Sequence, residues 1–261
     1  MNALGTPDVS IFDRIVCGVD GTPESLFAVK QAGRLQRPDG GLLLVVAMNL
    51  AKAAHAGMAA THAAGLMQDE AEWAMAEASE LVTAEGRIVN GDPATVLLNE
   101  AQQATLLAVG SHGHRRAAGT LLGTVATRML HEAPCSVLVA RPARHPDTWP
   151  HAIVVGIDGS AESELAVAAA RSVADARGAD LSVVSATSDQ VDRDVTYRVA
   201  PEVEERDGRA LGVLKAESET ADLVVVGSRG LQGLKSLGSV SERIAHQASC
   251  SVLVVRAAAP A

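Results

Sequence analysis

A chain of 261 residues, 48% of them hydrophobic, has the length and the apolar content for two ordinary domains of about 130 residues each. Its formal net charge of -9 argues against a general nucleic-acid or membrane-surface binder, and aromatic residues at 2% are too few for a base-stacking surface. Three cysteines without a CxxC spacing give neither a disulfide framework nor a zinc site.

Met1–Ser10 has no basic start and no long apolar run, so no signal peptide is expected there. Phe12–Asp20 is short, apolar and β-rich, and reads as a buried strand. Thr22 then suits a helix N-cap and Pro23 the first helical position, with Leu26, Val29, Ala32 and Gly33 at helical spacing. Pro38-Asp39-Gly40-Gly41 ends that helix. Leu42–Met48 is a second buried strand, far shorter than the ~20 residues a bilayer helix needs. Thr61–Ala84, rich in Ala, Glu and Met, predicts a long helix. Gly86–Asn90 is a third strand, and Gly91-Asp92-Pro93 opens another helix. Leu106–Val109 is a fourth strand, Thr124–Glu132 a helix and Cys135–Ala140 a fifth strand. Strands alternating with helices imply βαβ crossovers and a parallel sheet. Cys17, Cys135 and Cys250 all fall in apolar strand-like runs, which suits buried thiols in a reducing cytoplasm.

The whole pattern then recurs. Val16-Cys17-Gly18-Val19-Asp20-Gly21-Thr22 returns as Val154-Val155-Gly156-Ile157-Asp158-Gly159-Ser160, and Cys135-Ser136-Val137-Leu138-Val139 as Cys250-Ser251-Val252-Leu253-Val254. The expected organisation is a domain over 10–144, a linker over 145–151 with two prolines, and a second, shortened domain over 152–256. The first strands are offset by 138 residues, whereas Gly91/Gly208 and Gly110/Gly227 are offset by 117, so about 21 residues are missing in between. That is roughly the length of the Thr61–Ala84 helix, which is expected to be much reduced in the second copy. Ser188–Pro201 is polar and charged and yields no assignment.

The strongest constellation lies between the fourth strand and the next helix: Gly110-x-x-Gly113, nine residues, then Gly123-Thr124. Glycines let a backbone approach a ligand closely, and a helix N-terminus behind them favours anions, phosphates above all. Thr124 can cap that helix, and His112, His114, Arg115 and Arg116 add positive charge. The bland alternative is a tight turn with a solvated tip, against which repetition of the glycines argues. Asp20 and Asp158 end the first strands; each suits either a hydrogen bond to a ligand or an Asx turn into the helix. No GxxxxGK[ST] loop, no GxGxxG after the first strand and no GxSxG turn is present. His112 and His114 lack the partner carboxylates of a metal site.

This pattern closely resembles the universal stress protein family, over nearly the whole chain and as a tandem pair. The residues that carry it are Val19-Asp20-Gly21-Thr22, the Gly110-x-x-Gly113-(nine)-Gly123-Thr124 motif, and Arg128-x-x-His131-x-Ala133-Pro134-Cys135-Ser136. The resemblance implies an α/β fold of two tandem open-sheet domains, HUP-type and Rossmann-like, with five parallel strands each and a pseudo-two-fold between them. It implies ATP binding: Asp20 on the adenosine part, the backbone near Met48 on the adenine edge, and Gly110, Gly113, Gly123, Thr124 and Val125 around the phosphates, with magnesium only as carried by the nucleotide. The second-half counterparts are Asp158, Ala186, Gly227, Gly230, Gly238, Ser239 and Val240. There only seven residues separate Gly230 from Gly238, so AMP, cyclic AMP or no ligand are the expectations for that half. The resemblance further implies that the two final strands pair within one chain as a pseudo-dimer, with a true homodimer as an extension. The expected role is a non-catalytic, cytoplasmic stress sensor or regulator with protein partners still to be identified; slow ATP hydrolysis or nucleotidyl transfer, and a scaffold without nucleotide in the second half, are the alternatives.

Overall fold

The computed structural model describes residues 12–51, 60–113, 122–189, 191–228 and 239–257. The chain divides into two compact units, one over Phe12–Arg141 and one containing Pro142–Ala261.

In the first unit the elements alternate: β1 (Arg14–Val19), α1 (Pro23–Leu35), β2 (Gly41–Met48), α2 (Ala60–Leu81), β3 (Glu85–Asn90), α3 (Pro93–Ala101), β4 (Leu106–Gly110), α4 (Thr124–Glu132) and β5 (Ser136–Ala140). The strand order is β3-β2-β1-β4-β5, and every pairing is parallel. Strands covered by helices on both faces need continuous apolar runs rather than alternation. Accordingly β5 is buried throughout and β4 up to its last residue, while β3 at the edge is largely exposed. The helix starts follow local chemistry. The Thr22 hydroxyl accepts from the Ser25 N–H with Pro23 in the first turn, and Asp92 accepts from the Thr95 N–H ahead of Pro93.

The second unit contains β6 (Ala152–Gly156), α5 (Ala161–Arg177), β7 (Asp180–Ala186), α6 (Arg193–Val199), β8 (Glu204–Arg206), α7 (Ala210–Glu217), β9 (Leu223–Gly227), α8 (Val240–Gln247) and β10 (Ser251–Val255). Its order, β8-β7-β6-β9-β10, is again parallel throughout. The expected loss is visible: where the first unit has the 22-residue α2, the second has the seven-residue α6. That helix lies inside the segment left unassigned by sequence. Asp192 caps it through the Val195 N–H, and the Arg171 guanidinium donates to the Val199 carbonyl at its far end, 3.2 Å away. A seven-residue helix whose far end is held by a partner 28 residues away leaves little local signature.

The segment ahead of β6 is anchored. Trp149 is 1% exposed, and its Nε1 donates to the Asp222 carbonyl at 3.1 Å. The Asp222 Oδ2 in turn accepts from the N–H groups of His151 and Ala152. Cys17, Cys135 and Cys250 are buried thiols outside any disulfide, and burial pushes the Cys17 thiol pKa up, so it stays protonated. Among the described residues no helix is long and apolar enough to cross a membrane.

Candidate functional site

In the first unit the strand order reverses between β1 and β4, whose connections leave toward opposite edges of the sheet. Ligands of open α/β sheets bind at the carboxyl ends of the strands at such a point. A cavity of about 350 Å³ lies there. Asp20, Met48, Gly110, Gly113, Gly123, Thr124 and Val125 all line it. His114, Arg115 and Arg116 lie outside the described residues.

Asp20 follows the last residue of β1. Its Oδ1 accepts from both the Thr22 N–H (3.1 Å) and the Thr22 hydroxyl (2.5 Å), so the Asx turn is real. Asp158 repeats this with Ser160, at 3.0 and 2.6 Å. Between them sit Gly21 and Gly159, with φ of 75° and 81°, a left-handed turn that calls for glycine. Oδ1 belongs to the turn, while Oδ2 lies toward the glycine loop: a Cβ on Gly113 would stand 2.7 Å from it.

The glycines have different reasons for being glycine. A Cβ on Gly110 would stand 2.7 Å from the Glu24 carbonyl carbon and 2.9 Å from the Ser25 nitrogen, at the first turn of α1. On Gly227 it would strike the Glu162 carbonyl and come within 2.7 Å of the Ser163 nitrogen, the corresponding place on α5. This shared pair is demanded by strand–helix packing. Gly123 closes the loop instead, its N–H donating to the Ser111 carbonyl at 2.7 Å.

Two expectations need correction. Thr124 does not cap α4: Gly123 occupies the N-cap and Thr124 is the first helical residue. Gly123 offers no side-chain acceptor, and the first turn of α4 holds no acidic residue. The opening N–H groups and the positive end of the helix dipole therefore face the cavity with no side-chain cap among the described residues. The second correction concerns Met48. In a parallel strand the N–H and C=O of one residue share a side, and successive residues alternate. The Met48 carbonyl accepts from the Gly91 N–H at 2.7 Å, toward β3. Ala47 thus presents its peptide groups on the β1 side, just beyond the Val19–Val46 pair where β1 ends, and it lines the cavity. In the second unit Ile157 donates to the Val184 carbonyl and Thr187 to the Arg206 carbonyl, so Ala186 is the counterpart of Ala47, not of Met48. Which peptide edge faces the cavity depends on register, which an offset between repeats carries to within a residue.

Arg128, quoted above only as part of a motif, has a visible task. Its guanidinium bonds Glu132 on its own helix and reaches the Asp92 carboxylate and the Thr95 hydroxyl at the start of α3. It ties α4 to α3, two helices whose first turns both line the cavity.

The second unit has a cavity of about 100 Å³ in the equivalent place, lined by Asp158, Ala186, Gly227 and Val240 among others. Gly230 and Gly238 lie outside the described residues. Ser239 does cap its helix, accepting from the Glu242 N–H, and Glu242 adds a carboxylate to the first turn. Where α2 lies against Gly21 in the first unit, with Ala74 and the exposed Trp73 beside it, the Asp192 backbone closes over Gly159.

Comparison with known proteins agrees with this architecture. The model of the universal stress protein family matches residues 11–141 and 191–256. Universal stress protein Rv2623 of Mycobacterium tuberculosis is 33% identical over 206 residues, covering 67% of this chain and 69% of that protein. Universal stress protein Rv2005c of the same organism is 32% identical over 212 residues, covering 69% and 71%. Among solved structures, a universal stress protein from Archaeoglobus fulgidus superposes with a TM-score of 0.76 at 21% identity over 94% of this chain and 98% of that one. A putative universal stress protein from Pseudomonas aeruginosa gives 0.67 at 17% identity, covering 96% and 95%. At these identities the structural likeness is one of fold.

Proposed function

We propose, for a chain that belongs to the universal stress protein family, that the first unit binds ATP and works as a non-catalytic sensor or regulator of a stress response. The observation that carries this is the contrast between two equivalent helix starts. Among the described residues the α4 N-terminus has no side-chain cap and no acid in its first turn, at a cavity of about 350 Å³, whereas α8 is capped by Ser239 and carries Glu242. Free N–H groups and an uncompensated dipole suit a polyphosphate; a capped, acid-bearing start does not. Size agrees, since small-molecule sites begin at roughly 300 Å³, above the second cavity's 100 Å³.

The bound nucleotide supplies a polyanion at one end and a hydrogen-bonding base edge at the other. Gly113, Gly123, Thr124 and Val125 would hold the phosphates through main-chain N–H groups, with any magnesium carried by those phosphates. Among the described residues no cluster of three His, Cys, Asp or Glu could hold a metal. The Ala47 peptide edge would read the base. Asp20, with Oδ1 committed to Thr22, would steady the adenosine part and is not set up to activate water. The second unit, with its small cavity, would serve as a partner-binding scaffold.

Calorimetric titration of the full chain with ATP should give one site per chain, and the nucleotide recovered after hours of incubation should be intact. Two equivalent sites would overturn the assignment to the first unit; recovered ADP would overturn the non-catalytic part; no heat at all would remove the nucleotide.

A further inference from the structure

The long α2 helix, reduced to the seven-residue α6 in the second unit, has one face that forms a wall of the cavity. Met67, Glu70, Ala71 and Ala74 line it, at the i, i+3, i+4, i+7 spacing of a single helical stripe. On an inward stripe packing favours small or apolar side chains, and three of the four conform. Ala71 and Ala74 are buried, and Met67 is half-buried. Glu70 breaks the pattern. It is exposed at the mouth of the cavity, and its carboxylate makes no hydrogen bond or ion pair with any described residue. Asp20, the other carboxylate lining the cavity, gives its Oδ1 to the Thr22 turn and has its Oδ2 toward Gly113, on the glycine-loop side.

An acceptor without a partner among the described residues, in a site read as taking a nucleotide, is a place for a ligand donor. Like charge keeps the phosphates at the α4 end, away from Glu70. The donors left are the exocyclic amine and the two sugar hydroxyls. The Ala47 carbonyl sits at the strand end for the amine, which leaves the hydroxyls for the helix that covers the site. We infer that Glu70 accepts hydrogen bonds from the vicinal hydroxyls of the nucleotide sugar and makes this site selective for ribonucleotides. The inference rests on the nucleotide reading above.

Titration of the full chain with ATP, 2′,3′-dideoxy-ATP and inosine triphosphate, for wild type, Glu70→Gln and Glu70→Ala, separates the possibilities. A hydrogen bond to a charged group supports an effect of about tenfold. Wild type should bind dideoxy-ATP about tenfold more weakly than ATP. Glu70→Ala should bind ATP about tenfold more weakly and no longer distinguish it from dideoxy-ATP, while keeping the wild-type ratio of ATP to inosine triphosphate. Glu70→Gln, which retains a carbonyl acceptor, should fall between. Alanine is a good helix former, so unchanged melting is expected and serves as the folding control. A variant that still prefers ATP to dideoxy-ATP by the wild-type ratio overturns the inference, as does a loss confined to the inosine comparison. A wild-type chain that binds no triphosphate overturns the nucleotide reading itself, a separate failure.

Discussion

Gly113→Val should weaken ATP binding about 100-fold and leave the fold intact. Gly113 is not among the glycines with positive φ, so a β-branched residue adds no left-handed strain. The conflict is with the site. A Cβ there would stand 2.7 Å from Asp20 Oδ2, and that carboxylate cannot simply turn away because Thr22 holds Oδ1 with both its N–H and its hydroxyl. The two further methyl groups of valine then take the space in front of the α4 N-terminus. Displaced phosphate contacts to main-chain N–H groups are charge-assisted bonds, and losing their net value costs on the order of 3 kcal/mol, or 100-fold. Calorimetry reads the affinity and circular dichroism the fold. A dissociation constant equal to wild type would show that nothing anionic lies beside this glycine.

Gly110→Ala should do the opposite. Its Cβ would meet main chain rather than a side-chain tip: the Glu24 carbonyl carbon at 2.7 Å, its oxygen at 2.8 Å and the Ser25 nitrogen at 2.9 Å. Main chain at the start of a helix cannot rotate aside, so β4 and α1 must separate. Overpacking of this kind costs about 3 kcal/mol, which for a unit of roughly 130 residues lowers the melting temperature by about 10 °C. ATP affinity measured well below the melt should change little. A normal melt with lost affinity would transfer Gly110 to the ligand. Both variants alter glycines of one short motif, so the pair separates its packing role from its binding role.

What could be read beforehand was what depends on near neighbours. Thr22-Pro23 and Asp92-Pro93 start helices because cap and first turn are local, and the buried strands are short apolar runs between such starts. The loss of the Thr61–Ala84 helix in the second half followed from a change of offset alone. The misses needed information from across the fold. Arg193–Val199 is too short for periodicity and is secured by Arg171, 28 residues from Val199. Thr124 looked like a cap because Thr commonly is one, but the chain already enters the helix at Gly123. Met48 and Ala47 differ only in which neighbouring strand their peptide groups face. At the site, the glycines were legible as a set and not as individuals. Only the backbone of α1 and α5 shows that Gly110 and Gly227 are spacers, and only the Asp20 carboxylate shows that Gly113 is not.

The two tryptophans occupy unlike surroundings. Trp149 is sealed in the second unit with its indole N–H bonded, while Trp73 is 62% exposed with a ring atom 3.4 Å from where a Cβ on Gly21 would stand, one residue from Asp20. Emission from a water-bathed indole lies to the red of that from an enclosed one. The chain thereby carries an unlabelled optical gauge: a blue background from the second unit, and a red signal from α2, the helix whose Met67–Ala74 stripe walls the cavity.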